Sequence, residues 1–79
     1  MFLVTLSKLK KKQRARIKSL PDDLSLSSRL MEQGFVPNSL VELAHIAPFN
    51  GPLAFYLHGT KMSIHQSLAA LIHIELEVA

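Results

Sequence analysis

Apolar and polar residues alternate over several short stretches of the chain, which is the pattern of half-buried β-strands. Between Arg14 and Ser19, Ala15 and Ile17 occupy one face and basic residues occupy the other. The same alternation recurs in four later segments: 41–43, 53–57, 62–64 and 72–76. Short strands separated by turn residues predict a small antiparallel β-barrel.

A single stretch has helical periodicity. Leu26 and Leu30 are four residues apart and therefore share a helical face, and Gly34 is placed to end the helix. Asp23 or Ser25 is expected to cap its N-terminus. A further helical turn is predicted near residues 65–70, so the expected fold is mainly β with one short helix and one additional turn.

The strands on either side of the Pro48–Pro52 segment are expected to form a hairpin. Placing both apolar rows on one face requires a five-residue loop and pairs Leu43 with Leu57. In that register Glu42 lies opposite His58 on the outer face.

Composition limits the class of protein. Hydrophobic residues make up 48% of the 79 residues, and cysteine is absent, which excludes disulfides and thiolate metal sites. The apolar N-terminus is short and precedes the positive charges, unlike a secretory signal, and no stretch is long enough to span a membrane. We therefore expect one cytoplasmic domain covering residues 1–79.

Three consecutive segments together resemble a known family. They are RLMEQGFVPNSLVEL, APFNGPLAFYLHG and MSIHQSLAALIHIEL. Their order and spacing resemble the FeoA family, the small cytosolic accessory proteins of bacterial ferrous iron uptake. The resemblance implies an SH3-like β-barrel, no catalytic activity, and the cytosolic GTPase region of the membrane transporter FeoB as partner.

Two positions depart from glycines that are common in that family. Lys12 stands in the first of them, so we expect backbone strain there if the turn requires a positive φ. Asn38 stands in the second, after Pro37, and asparagine tolerates a positive φ well enough for a type II turn to form.

The basic residues are concentrated near the N-terminus. Seven of the nine lie between residues 8 and 18, whereas the chain from Ser19 onward carries a net charge of −4. The candidate basic patch consists of Lys11, Lys12, Arg14, Arg16 and Lys18. It could be a solvated strand face or could attract anionic membrane lipid. Nucleic acid is disfavoured, because no aromatic side chain lies between these residues to stack on bases.

Catalytic motifs and strong metal motifs are absent from the sequence. The best metal candidates are His73, Glu75 and Glu77, which alternate on one strand face. Neighbours on a strand face are about 6.5–7 Å apart, so this set could bind a divalent ion only weakly. His45 is expected to face outward because of a bulge in its strand. No cofactor is predicted.

The loop between the two central strands is the candidate partner-binding site. It consists of Pro48, Phe49, Asn50, Gly51 and Pro52. Phe49 could contact a partner or could fill the end of the barrel. Arg29, the one basic residue of the helix, is a further candidate, although it could instead pair with Glu32.

The function implied by the resemblance is an accessory role in iron uptake through contact with FeoB. Two alternatives remain open. One is a metal-responsive regulatory module with an SH3-like fold, which would require a DNA-binding domain that 79 residues leave no room for. The other is a small barrel that binds nucleic acid.

Overall fold

The structure of the protein is a computed structural model that describes residues 3–49 and 51–77. Its strands are β1 (Leu3–Thr5), β2 (Arg14–Ser19), β3 (Leu40–Ile46), β4 (Leu53–Leu57), β5 (Thr60–Ile64) and β6 (His73–Leu76). Its helices are a 3₁₀ turn (Leu6–Lys8), α1 (Leu24–Glu32) and α2 (Gln66–Ala69). The prediction of a mainly β fold with one short helix and a further helical turn is confirmed.

The six strands form one antiparallel sheet in the order β1-β6-β2-β3-β4-β5. The chain therefore places its last strand between its first two, and β1 and β5 lie at the edges. A hydrogen bond from Leu6 N to Ile72 O, 2.8 Å long, joins the 3₁₀ turn to the residue before β6. This order holds the two ends of the described chain together.

The inward-facing residues of these strands form a single core with one side of α1. Seven apolar residues from the alternating segments and the helix belong to it: Ile17, Leu30, Leu43, Phe55, Leu57, Ile72 and Ile74. Phe35 is also fully buried, although the sequence pattern did not single it out. The alternation of apolar residues thus identifies the inward face of β2 to β6 correctly, whereas β1 was not predicted from it.

The ends of α1 are fixed by local sequence. The Asp23 carboxylate accepts a hydrogen bond from Leu26 N (3.1 Å), so Asp23 is the N-cap. At the other end Gly34 has φ 106°, and Phe35 N donates to Leu30 O at 2.9 Å. This 6→1 bond belongs to a Schellman motif, which turns Phe35 back into the core beside Leu30.

The predicted register of the β3–β4 hairpin is wrong by two residues at Leu43. Leu43 faces Phe55 rather than Leu57, and Glu42 faces Tyr56 rather than His58. The register shifts between Leu43 and His45, so β3 contains the expected bulge and His45 is exposed. At the bulge, β3 has one residue more than the facing part of β4. A prediction that assumes a regular ladder therefore gives the wrong pairing.

His58 belongs to a turn and not to a strand. It has φ 52° and the following Gly59 has φ 79°, and the two residues alone connect Leu57 of β4 to Thr60 of β5. Two successive positive φ angles define the type I′ turn that suits tight hairpins. The predicted Glu42–His58 pair is therefore not formed.

The two turns expected to need a positive φ both have one. Lys12 has φ 69° and Asn38 has φ 73°. Ser39 N donates to Val36 O at 3.1 Å, which closes the predicted type II turn around Pro37 and Asn38.

Candidate protein-binding site

The loop between β3 and β4 presents one large apolar side chain to solvent. Phe49 is 99% exposed, and its backbone has φ 58°, in the left-handed region that is costly for an aromatic residue. Asn50 lies outside the described residues. The alternative prediction that Phe49 fills the end of the barrel is wrong, because the side chain is not covered by the domain.

Hydrogen bonds fix the loop on both sides of Phe49. Ala47 N donates to Pro52 O (3.3 Å), and Gly51 N donates to Pro48 O (3.1 Å). From outside the loop, Gln66 Nε2 of α2 donates to Gly51 O at 3.1 Å. These bonds join Ala47 and Pro48, before Phe49, to Gly51 and Pro52 at the other end of the loop.

Gly51 is required by a close approach within the loop. A Cβ atom at this position would lie 2.7 Å from the Cβ of Ala47 and 3.1 Å from the carbonyl oxygen of Pro48. The first distance is shorter than real Cβ contacts allow, so only glycine fits without movement of the loop. The strand ends place six residues, 47–52, between β3 and β4, one more than predicted.

Arg29 lies in the last turn of α1, on a different element from this loop. It is exposed, and within residues 3–49 and 51–77 it makes no ion pair. The alternative prediction of an Arg29–Glu32 pair is therefore not met.

The basic residues of β2 are paired with acidic residues of the neighbouring strands. The pairs are Arg14–Glu42 (3.3 Å), Arg16–Glu77 (3.0 Å) and Lys18–Glu75 (3.3 Å). Because the partners come from β3 on one side and from β6 and the residue after it on the other, the pairing depends on strand order. Three of the five residues of the predicted patch therefore form a row of ion pairs rather than a free basic surface.

The remaining lysines lie in the segment that precedes β2. The segment 10–13 is a turn closed by Gln13 N donating to Lys10 O (3.1 Å), while Lys10 N donates to the Gln13 side chain (2.9 Å). Lys11 and Lys12 occupy its two central positions and are exposed. No described carboxylate forms an ion pair with Lys8, Lys10, Lys11 or Lys12.

The predicted weak metal ligands are engaged separately. Glu75 and Glu77 are in the ion pairs with Lys18 and Arg16, and His73 Nδ1 lies 3.3 Å from Ser19 Oγ. In the part of the chain that the structure describes, no three His, Cys, Asp or Glu residues are grouped closely enough to hold a metal ion. No helix there is long and apolar enough to cross a membrane.

Two surface grooves were not anticipated from the sequence. One, of about 320 Å³, lies on the outer face of β3 and β4, where Leu40 and Tyr56 are partly exposed. The other, of about 460 Å³, lies between the start of α1 and the residues that lead into β6. The outward-facing tyrosine in β4 was the feature of the sequence that could have indicated the first groove. Which residues lie beside that tyrosine depends on the register of the strands, so the groove itself could not be predicted.

The comparisons with known proteins decide the family. The FeoA domain family matches residues 4–76 of the chain. The chain belongs to the FeoA family. This membership links the FeoA domain described here to bacterial ferrous iron transport, and a search of curated protein sequences found no significant match.

Solved structures share the fold over most of this FeoA domain. Iron(II) transport protein A of Clostridium thermocellum is 30% identical with a TM-score of 0.87, over 92% of this chain and 45% of that chain. FeoA of Stenotrophomonas maltophilia, a prokaryotic SH3 domain protein crystallised with zinc, is 25% identical with a TM-score of 0.78, over 91% and 89%. The SH3-like fold implied by the resemblance is confirmed.

The fold also occurs in a larger type of protein. ScaR, solved with bound Zn²⁺, is 19% identical with a TM-score of 0.81, over 91% of this chain and 36% of that chain. At this identity the likeness shows a shared fold alone.

Proposed function

We propose that this FeoA domain is a non-enzymatic cytoplasmic adaptor that supports ferrous iron uptake by binding the cytosolic region of a FeoB-type transporter through the β3–β4 loop. Family membership supports the pathway, and an activating role in ferrous iron transport has been suggested for the Stenotrophomonas relative. The observation that carries the proposed site is the nearly complete exposure of Phe49.

An exposed phenylalanine contributes little to folding but much to binding. Covering its side chain with a partner would remove apolar surface from water, which stabilises a complex by about 1.5–3 kcal/mol per large apolar side chain. Truncating a central aromatic contact in an interface commonly costs about 2 kcal/mol or more. Phe49 is therefore suited to anchor a partner.

The hydrogen bonds at the base of the loop favour the same role. Two prolines, three hydrogen bonds and the close approach at Gly51 restrict the described residues of the loop, 47–49 and 51–52, before any partner arrives. A binding loop that is already ordered loses less conformational entropy on association than a flexible one. Ile46, at the end of β3, is 48% exposed and gives the same end of the sheet a second apolar contact.

The experiment compares two variants at exposed aromatic positions. Affinity for a FeoB-type transporter in lipid nanodiscs is measured for the parent, for Phe49→Ala, and for Tyr56→Ala on the outer face of β4. We expect Phe49→Ala to weaken binding by about thirtyfold, equivalent to about 2 kcal/mol. Tyr56→Ala should bind like the parent.

Thermal melting of the same samples separates a binding effect from a folding effect. Because Phe49 is uncovered in the free domain, Phe49→Ala should melt within about 2 °C of the parent, as surface substitutions usually do. Unchanged affinity of Phe49→Ala, or a large fall in its melting temperature, would remove the loop as the contact site. Failure of the parent to bind the transporter at all would overturn the adaptor function itself.

A further inference from the structure

The structure divides the N-terminal basic residues into two groups. Those on β2 are held in ion pairs by Glu42, Glu75 and Glu77. The lysine turn, defined as Lys8, Lys10, Lys11 and Lys12, has no ion-pair partner among the described residues, and all four side chains are exposed. The uncompensated positive charge of this region is therefore concentrated in five consecutive residues.

The backbone at Lys12 gives a second observation. Its φ of 69° is in the left-handed region, which costs a non-glycine residue about 1–2 kcal/mol relative to its preferred conformation. Glycine would occupy this position with less strain, and the exposed lysine side chain forms no hydrogen bond or ion pair with a described residue. Folding stability alone therefore does not account for a lysine here.

We infer that the lysine turn binds the anionic surface of a lipid bilayer. Four uncompensated lysines within five residues match a surface of closely spaced negative headgroups, to which juxtamembrane basic clusters are attracted. A nucleic-acid surface is less favourable, because the turn contains no aromatic side chain to stack on bases and the basic residues of β2 beside it are already paired with three carboxylates of the neighbouring strands. This contact is independent of the transporter-binding loop.

The expected effect of each lysine can be stated as a change in binding. A basic residue near an anionic bilayer contributes about 1 kcal/mol, which is about a fivefold change in the partition constant. The attraction acts over about a Debye length, near 10 Å at 0.1 M salt, and therefore weakens as salt is added. Substituting one lysine should thus give a measurable loss that disappears at high ionic strength.

The test uses binding of the full chain to vesicles of phosphatidylglycerol and phosphatidylcholine, and to vesicles of phosphatidylcholine alone. Lys12→Gly removes one charge and relieves the backbone. We expect about fivefold weaker binding to the anionic vesicles together with a melting temperature raised by about 3–6 °C. Opposite effects on binding and stability are not expected from a purely structural residue.

Two matched control variants show whether the effects of Lys12→Gly come from the position of its charge, from relief of backbone strain, or from the change in net charge. Asn38→Gly relieves a similar left-handed residue without changing charge, so it should raise the melting temperature and leave vesicle binding unchanged. Lys61→Gln removes one exposed lysine from β5, far along the chain from the turn, and should weaken binding less than twofold. The parent should show no binding to phosphatidylcholine alone.

Three results would overturn the inference. The first is absence of binding to anionic vesicles at low salt. The second is an equal loss for Lys12→Gly and Lys61→Gln, which would assign the attraction to net charge. The third is tighter binding of the protein to a single-stranded oligonucleotide than to the vesicles in the same buffer, which would make nucleic acid the ligand. As a control, inorganic phosphate added at matched ionic strength should not compete with the vesicles for the protein.

Discussion

Truncation of Phe55 to alanine tests which residues of the central strands face the core. Phe55 is fully buried, faces Leu43 on β3 and lies opposite Met62 on β5. Removing a buried phenylalanine side chain costs about 3–5 kcal/mol, because apolar burial is lost and a cavity remains. A domain of this length has a free energy of unfolding of about 4–12 kcal/mol, so the variant should lose between about a quarter and all of it.

The assay is thermal unfolding followed by circular dichroism, for three variants on one strand. For a chain of this size, each kcal/mol lost from the free energy of unfolding lowers the melting temperature by about 6 °C. Phe55→Ala should therefore melt about 18–30 °C below the parent. Phe55→Leu, which keeps most of the volume, should lose about 1.5 kcal/mol or less. Tyr56→Ala changes the next residue, which faces outward and is 46% exposed, and should have a much smaller effect. Equal losses for Phe55→Ala and Tyr56→Ala would refute the assigned faces of β4.

Two further substitutions test the ends of α1. Asp23→Ala should lower the free energy of unfolding by about 1 kcal/mol, because Leu26 N loses its hydrogen-bond acceptor. Asp22→Ala serves as the control, because Asp22 makes no capping bond. Equal melting temperatures for the two variants would contradict the assignment of Asp23 as the N-cap. Gly34→Ala should cost about 1–2 kcal/mol through the positive φ alone, since an added Cβ would meet His58 Cδ2 at an ordinary 3.8 Å. A melting temperature for Gly34→Ala equal to that of the parent would show that the helix end can relax.

Features set by local sequence could be predicted from the chain. Alternation gave β2 its bounds because each inward residue of a strand must be apolar when one face is buried. Asp23 and Gly34 could be assigned to the ends of α1 because capping depends on only a few neighbouring residues. The strained turn at Lys12 was anticipated from the resemblance, in which a glycine is common there.

Features that depend on register could not be predicted. The bulge after Leu43 leaves the apolar pattern of β3 intact, so the pattern alone gave a straight ladder and the wrong partner for Glu42. The three ion pairs of β2 join residues that are 28 to 61 positions apart and form only once strand order is fixed. Composition therefore predicted one large basic patch, where the structure has a neutralised row and a separate lysine turn.

Among residues 3–49 and 51–77, four residues other than glycine have a positive φ, and their surroundings divide them into two pairs. Asn38 closes a type II turn, and its N–H donates to Ile17 O at 2.7 Å. His58 lies in the two-residue turn that joins β4 to β5. Both of these residues serve connections that the sheet requires.

Lys12 and Phe49 form the other pair, because neither side chain contributes a described contact that would offset its strain. One is an exposed lysine without an ion-pair partner, and the other is an aromatic residue that is 99% exposed. A strained residue persists only where the surrounding structure enforces it, and such residues are concentrated at functional sites. We infer that interactions outside the domain account for the lysine at one of these positions and the phenylalanine at the other, because no described contact of either side chain does.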